Sequence, residues 1–467
     1  MNIVVSNEIF IREPAKEIVE YCTKELVISN PDFLKKERMG LYTGKTPRQL
    51  QLYKVDGDTL IVPIGCLKDI IALIKYYRLE HTVATDLADN GQIDYNAEVG
   101  LYDYQEQAVN ELIKKGYGIL QSKAGSGKTQ MGIALIARLG VKTLWLTHTQ
   151  DLLSQSYNRA KQYMNEDLLG TITAGKVNIG KGITFATVQT LSKQDLMQYK
   201  YTWDCIVVDE VHRCAGTPTA ATQFSKVISN LACEHKYGLS ATVHRADGLV
   251  KTTFMLVGNI AYTVPDEAIA DKVMDVAVKK VEIPMEELDE DCLDTDGTVI
   301  YTKVINSLCT DKNRNKIISQ HLRKEEGHYN LILSDRLSHL EELMQSLPKN
   351  LQEQAVLISG KMTSKKGREA RAQAIEDMKA GKKHYLFASY KLAKEGLDIP
   401  RLDRLHLATP QKDYAVITQS IGRVGRTFEG KEQPICYDYV DSFGMFENMY
   451  KLRCRSYRKC GCILCKS

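Results

Sequence analysis

From Leu101 onwards the chain repeats one pattern. Short runs that are apolar at nearly every position (Gly118-Ile119-Leu120-Gln121, Thr143-Leu144-Trp145-Leu146, Ile183-Thr184-Phe185-Ala186, Cys205-Ile206-Val207-Val208) are separated by stretches of helical spacing such as Met131 to Leu139. Continuous apolar runs predict strands buried on both faces. Their alternation with helices predicts a parallel sheet covered on both sides. A second series begins near Val276, with Asn330-Leu331-Ile332-Leu333, Ala355-Val356-Leu357-Ile358, Tyr385-Leu386-Phe387-Ala388 and Arg404-Leu405-His406-Leu407, and predicts a second α/β domain. Residues 1–92 read differently. Short strand-like runs (Ile3-Val4-Val5, Ile9-Phe10-Ile11, Thr59-Leu60-Ile61-Val62) alternate with two helical stretches, one running from the Pro14 turn through Ile18, Val19 and Cys22, the other from Leu67 to Tyr77. The expected fold is α/β: a small N-terminal α+β module at 1–92, two tandem parallel-sheet domains at 93–264 and 276–445, a linker at 265–275, and a basic, Cys-rich tail at 446–467. The acidic run Glu286 to Asp296 is expected to be a solvated loop.

Composition adds limits rather than a function. At 467 residues the chain is long enough for several cores, at about 150 residues per domain. A net charge of +4 argues only weakly for a nucleic-acid partner, so a local basic stripe would matter more. No apolar run approaches the length of a membrane span, and charged Glu8, Arg12 and Glu13 interrupt the start where a secretory signal would be apolar. The eight scattered cysteines, Cys22, Cys66, Cys205, Cys214, Cys233, Cys292, Cys309 and Cys436, are therefore expected as reduced thiols in a cytoplasmic protein.

The chemistry begins at Ala124-Gly125-Ser126-Gly127-Lys128-Thr129, which follows a predicted strand and opens a predicted helix. A phosphate loop needs that context: backbone N–H groups and the helix dipole hold phosphates, Lys128 reaches the β/γ-phosphates of ATP, and the Thr129 hydroxyl ligates Mg²⁺. Ser122 stands where the full motif has its first glycine. Asp209-Glu210-Val211-His212 ends the buried run before it. A carboxylate there suits Mg²⁺ (Asp209), and the next one suits the attacking water (Glu210). Much later, Gln419-Ser420-Ile421-Gly422-Arg423-Val424-Gly425-Arg426 places two arginines at i and i+3, expected on one helix face. Their planar guanidinium groups suit the spread charge of a phosphoryl group in transfer, with Gln419 sensing the γ-phosphate.

The order of these motifs, with Leu239-Ser240-Ala241-Thr242 between them, resembles a superfamily-two helicase of the DExH type. The segment around Ser240 is similar to the XPB-like and restriction-motor branch, and the whole is nearest in character to phage branch-migration DNA helicases. The resemblance implies two RecA-like domains with ATP between them. It implies that Ser240, Ala241 and Thr242, with His212, couple hydrolysis to strand movement. Gln105 matches a glutamine that reads adenine, its amide offering a donor and an acceptor. Gly396 and Asp398, in Lys394-Glu395-Gly396-Leu397-Asp398, match a motif that meets the ribose or the arginines. Thr147, His148 and Gln155, then Thr187 with Gln189, resemble nucleic-acid contacts of the first domain. Ser359, Gly360, Ser389 and Tyr390 resemble those of the second. The N-terminal module resembles an accessory domain that engages duplex DNA.

The tail, Phe446 to Ser467, has six basic residues against one acidic, and four thiols, Cys454, Cys460, Cys462 and Cys465, that could form a Zn²⁺ site. Their spacing is too compressed for the usual paired knuckles. The expected function is an ATP-dependent helicase or translocase acting on nucleic acid, with DNA as the expected polymer and no membrane partner. The alternatives are the duplex-translocating motor of a restriction or repair complex, an RNA helicase, and an ATP-gated nucleic-acid clamp.

Overall fold

The structure is a computed structural model. It describes residues 1–123, 125–173, 175–215, 218–241, 243, 249–285, 287–360, 362, 364–394 and 397–465, with backbone only at 215, 218–222, 270–272, 365 and 394. The chain forms two compact units: Met1–Lys123 with Gly127–Pro265, and Ala124–Ser126 with Asp266–Ser467.

The first unit contains two sheets. The N-terminal one has five strands in the order Lys54–Asp56, Thr59–Val62, Ile9–Arg12, Asn2–Val5 and Thr82–Thr85. Its alternating positions Ile3, Val5, Ile9, Ile11, Leu60 and Val62 pack on Ile18 and Cys22 of the helix Lys16–Glu25 and on Ile70 and Ile74 of the helix Leu67–Tyr77. Met255, from the helix Val250–Val257, completes this core, so the module is joined to the rest of the unit by shared apolar burial.

The larger sheet has eight strands in the order Lys176–Asn178, Leu169–Thr173, Ile183–Thr187, Thr143–Thr147, Cys205–Asp209, His235–Ser240, Gly118–Gln121 and Ile260–Thr263. Every pairing is parallel except that of the edge strand Lys176–Asn178. The middle strands are buried throughout, as the continuous apolar runs require. Register sets the functional edge. Asp209 lies opposite Leu239, and Ser240 opposite Gln121, so three strand ends that carry motifs finish side by side.

The second unit is built on seven parallel strands: Ala355–Ile358, Tyr385–Ser389, Asn330–Ser334, Arg404–Leu407, Ile435–Asp441, Ala277–Ile283 and Ile463–Leu464. Two fully buried arginines brace it. Arg314 pairs with Asp441 at 2.9 Å, and Arg453 reaches both oxygens of Asp438 at 2.7 Å, where Tyr457 also donates at 2.6 Å. Buried pairs of this kind are worth keeping only when their remaining hydrogen bonds are met, as they are here.

Three stretches differ from expectation. Arg453 and Tyr457 belong to the helix Gly444–Lys459, so the expected tail is an integral layer of the unit, and its last strand pairs with Ala277–Ile283. In the expected linker, Val273 bridges to Arg426 and the Met274 N–H donates to the Gly425 carbonyl. In the acidic run, Cys292 is buried with Val304, Ile305, Phe446 and Met449, which anchors a segment expected to be wholly solvated. Among the described residues no helix is long and apolar enough to cross a membrane.

Candidate active site

The phosphate loop runs from the strand Gly118–Gln121 to the helix Lys128–Leu139, two elements of the first unit. Gly125 and Gly127 have φ of +88° and +80°, a region that glycine enters without strain. Gly127 is needed twice over, because a Cβ there would also meet the Gln105 amide. Gln105 is buried, its Oε1 accepting the Tyr102 N–H at 3.0 Å, and so the expected adenine reader lies against the loop. Lys128 turns back onto its own loop, donating to the Ser122 and Lys123 carbonyls at 3.1 Å each. Ser122 is itself buried, and its N–H donates to the Ser240 carbonyl at 3.0 Å.

Asp209 and Glu210 sit where the strand Cys205–Asp209 ends. Glu210 has φ of +54°, a left-handed conformation that costs a non-glycine residue energy and that is typically kept where function requires it. His212 Nδ1 stands 2.9 Å from Ser240 Oγ with hydrogen-bond geometry, and 3.2 Å from Glu210 Oε2 as a charge contact. Burial pushes the Asp209 carboxyl up, the Glu210 charge pushes it further, and Lys128 pulls it down without prevailing. For Glu210 burial also opposes ionisation, but the close approach of His212 and the charges of Lys128 and Arg213 outweigh it and hold the carboxyl below its ordinary range. Ser156, which the sequence reading missed, donates to Asp209 Oδ2 at 3.3 Å from within the helix Gln150–Ala160. No sequence signal marked it, because its partner lies 53 residues away. Ala124 and Thr242 lie outside the described residues, while Ala241 follows Ser240 at the strand end.

In the second unit the helix Tyr414–Val424 carries Gln419 and Arg423. Arg423 donates to the Ala393 carbonyl at 3.2 Å. Arg426 does not share its helix face, as the i, i+3 spacing had suggested. Gly425 caps the helix by donating to Ile421, and Arg426 continues into the bridge with Val273. It forms an ion pair with Asp398, the two side chains being 24% and 42% exposed. Gln419 is buried, and its Oε1 finds no hydrogen-bond partner among the described residues. A buried amide left open in this way is an acceptor or, with the amide turned, a donor held for something else. Gly396 lies outside the described residues.

The expected nucleic-acid contacts divide. His148 is partly exposed and meets the Gln189 amide at 3.1 Å, and Gln155 is also half-buried. Thr147 and Thr187 are buried instead. The first hydroxyl donates to the Thr149 carbonyl at 3.1 Å and the second to the Thr190 hydroxyl at 2.9 Å, so each is engaged locally just beyond its strand. Half-buried Ser359 and exposed Gly360 follow the strand Ala355–Ile358, and Ser389 Oγ accepts the Leu392 N–H at 3.4 Å as a helix cap. Tyr390 faces the core, not a nucleic acid: it is buried and donates to the Thr409 carbonyl at 2.7 Å.

The zinc expectation is corrected. Among the described residues no group of three or more His, Cys, Asp or Glu side chains could hold a metal ion. Cys454 lies in the final helix, Cys460 caps it, and Cys462 and Cys465 flank the last strand. Cys460 and Cys462 pack against the apolar core, so helix and strand pairing take up thiols that the compressed spacing had placed together.

Residues 98–245 match the family described as the res subunit of type III restriction enzymes, and residues 313–428 match the helicase conserved C-terminal domain. The chain is 26% identical over 469 residues to a protein named as a helicase of Escherichia phage T5, covering 99% of this chain and 95% of that one. It is 28% identical over 404 residues to one named as an ATP-dependent RNA helicase of Acanthamoeba polyphaga mimivirus, covering 83% and 73%. It is 24% identical over 370 residues to the DNA 3'-5' translocase XPB2 of Sulfurisphaera tokodaii, covering 72% and 80%.

Proposed function

We propose, from the premise that this chain belongs to superfamily two of the helicases and has restriction-motor and XPB-type relatives, that it hydrolyses ATP to move along or remodel DNA, branched or duplex. One observation carries the reading: Lys128, Asp209, Glu210, His212 and Ser240 gather where parallel strands end, linked by hydrogen bonds and mutual charge. Ligands of open parallel sheets bind at that edge.

The proposed roles follow from the groups. The loop N–H groups hold the phosphates, and Lys128 exchanges its two carbonyl partners for phosphate oxygens. Gln105 reads the adenine. Asp209 and the Thr129 hydroxyl fit a divalent cation, Mg²⁺ by family: a buried carboxylate pushed toward its neutral form by burial and by its neighbour is relieved by a cation. Once bound, that ion supplies positive charge to the phosphate oxygens. Glu210, held ionised, orients the attacking water and accepts its proton. Gln419, Arg423 and Arg426 meet the γ-phosphate, Gly396 lets the backbone approach closely, and Asp398 meets the ribose or holds Arg426, its present partner. His212 and Ser240 pass the state of Glu210 to the neighbouring strand end. His148, Gln155, Ser359, Gly360 and Ser389 contact the nucleic-acid backbone.

DNA is preferred because the archaeal relative is named a DNA translocase. RNA is a second reading, favoured by the viral relative named an RNA helicase. The proposed place of action is the cytoplasm, where twelve free cysteines stay reduced. The test is ATPase rate with single-stranded, duplex, forked and four-way DNA and with RNA. Stimulation by DNA and not by RNA supports the reading, and stimulation by RNA alone replaces it with the second.

A further inference from the structure

Between Pro31 and Arg48 the N-terminal module makes an excursion that contributes nothing to its core. The helix Pro31–Arg38 has no buried residue. The loop after it exposes three large apolar side chains in close succession: Met39 at 60%, Leu41 at 54% and Tyr42 at 90%. The same segment, 31–48, carries five basic residues, Lys35, Lys36, Arg38, Lys45 and Arg48, against two acidic ones. Exposed apolar groups carry a solvation cost that the fold here does not recover.

Nor is the excursion a loose loop. Buried Asn30 staples its two ends: its side-chain oxygen accepts the Asp32 N–H at 3.0 Å, its amide donates to the Pro47 carbonyl at 2.8 Å, and its own N–H donates to the Arg48 carbonyl at 3.0 Å. The strands Val27–Ser29 and Gln49–Gln51 pair at the base. Within the loop Lys36 Nζ reaches Thr46 Oγ1 at 2.6 Å and the Thr46 N–H donates to Thr43 at 2.8 Å. Tyr42 folds over Gly44, whose φ is +34° and where a Cβ would meet the ring. The tip is thus a preformed aromatic and aliphatic surface on a segment of net positive charge. An apolar protein partner would not call for that charge. Unpaired bases beside a phosphate backbone match both parts, since every base offers a π-face and every phosphate a negative charge.

We propose that this loop is a second nucleic-acid contact, in which Tyr42 stacks on an unpaired base at a fork or branch while Lys45 and Arg48 hold the adjoining phosphates. The proposal rests on the motor reading and gives the module a role within it, that of favouring branched over continuous duplex DNA.

The test uses the full chain without nucleotide and measures fluorescence anisotropy with forked DNA, continuous duplex and oligothymidine. Tyr42→Ala is expected to lose affinity for the fork by about tenfold and to change duplex affinity little. Tyr42→Trp is expected to bind the fork like the native chain, because a stacking ring replaces a stacking ring. Lys45→Ala with Arg48→Ala should lower the slope of log affinity against log salt by up to about two, as lost phosphate contacts do. Equal losses in Tyr42→Ala and Tyr42→Trp, or native binding in all three variants, would overturn the proposal. If DNA raises ATPase in the native chain but Tyr42→Ala binds every DNA normally, the loop assignment fails and the motor reading stands. If no nucleic acid raises ATPase in the native chain, the motor reading itself fails.

Discussion

The motif residues of the two units are held in different ways. In the first, buried Asp209 and Ser240 and half-buried Glu210 and His212 are packed together, with Lys128 and Ser156 bonded at the margins. Moving Asp209 or His212 would break a hydrogen bond to Ser156 or Ser240 in a low-dielectric setting, where each one counts for more. In the second, Arg423 ends a helix, Arg426 lies beyond it in a partly exposed pair with Asp398, and the Gln419 amide has an open acceptor. A half-exposed ion pair is worth little and exchanges easily. On the proposed function the difference reads as a division of labour: the first unit would preset the chemistry, while the second carries groups whose present partners exchange easily.

The sharpest way to break that contrast is to strike the preset side. Lys128→Ala should reduce ATP hydrolysis by at least about a thousandfold and weaken nucleotide binding together with it. A variant that binds ATP normally would remove Lys128 from the cradle. Glu210→Gln should lower turnover by about a hundredfold or more while nucleotide affinity holds. Stopped-flow binding alongside steady-state hydrolysis separates the two effects.

Acid should strain the units unequally. In the second, burial pushes His339 and His406 down to about 3. Each is neutral in the fold, with Asn315 or Asn330 facing its Nε2. Their contribution to stability is complete above the unfolded value of about 6.5 and is lost as pH falls from there toward 3, at up to about 1.4 kcal/mol per pH unit for each histidine. At Asp209 the sign reverses: a carboxyl pushed up in the fold contributes stability at low pH that is lost as pH rises. Both tryptophans, Trp145 and Trp203, lie in the first unit, so their fluorescence should outlast the circular-dichroism signal during acid titration. Coincident transitions, unchanged in His406→Asn, would remove this explanation.

The smallest effect concerns Ser156. Ser156→Ala removes one buried hydrogen bond to Asp209, worth about 1 kcal/mol, and should shift melting by a few degrees and Mg²⁺ dependence by a few-fold. An unchanged Mg²⁺ dependence would leave Ser156 a packing residue.

The residues that could be read in advance, and those that could not, follow the same physics. Ile206-Val207-Val208 and Leu331-Ile332-Leu333 announced central parallel strands, because burial on both faces leaves no room for polar positions. The phosphate loop and the acid pair were legible because their chemistry needs fixed residues at fixed spacing. Tyr390 misled, and the turn of the Thr147 and Thr187 hydroxyls onto local partners was not legible, because the sequence marks a strand's end and not the direction in which a hydroxyl then turns. Arg426 left its helix because Gly425 and the pairing with Val273 outweighed a spacing that alone allowed one face. The final helix looked like a basic tail because Arg453 is a surface residue by type, and only its distant partner Asp438 makes it a buried one. Non-local pairing of this kind leaves no periodic trace.

The most direct test of the account is Arg426→Ala, with ATP affinity and single-turnover hydrolysis measured on the same DNA-bound protein. Two units acting on one nucleotide predict affinity within a few-fold of the native chain and hydrolysis slowed by about a thousandfold. Hydrolysis at the native rate would contradict it, and would confine the chemistry to the first unit alone.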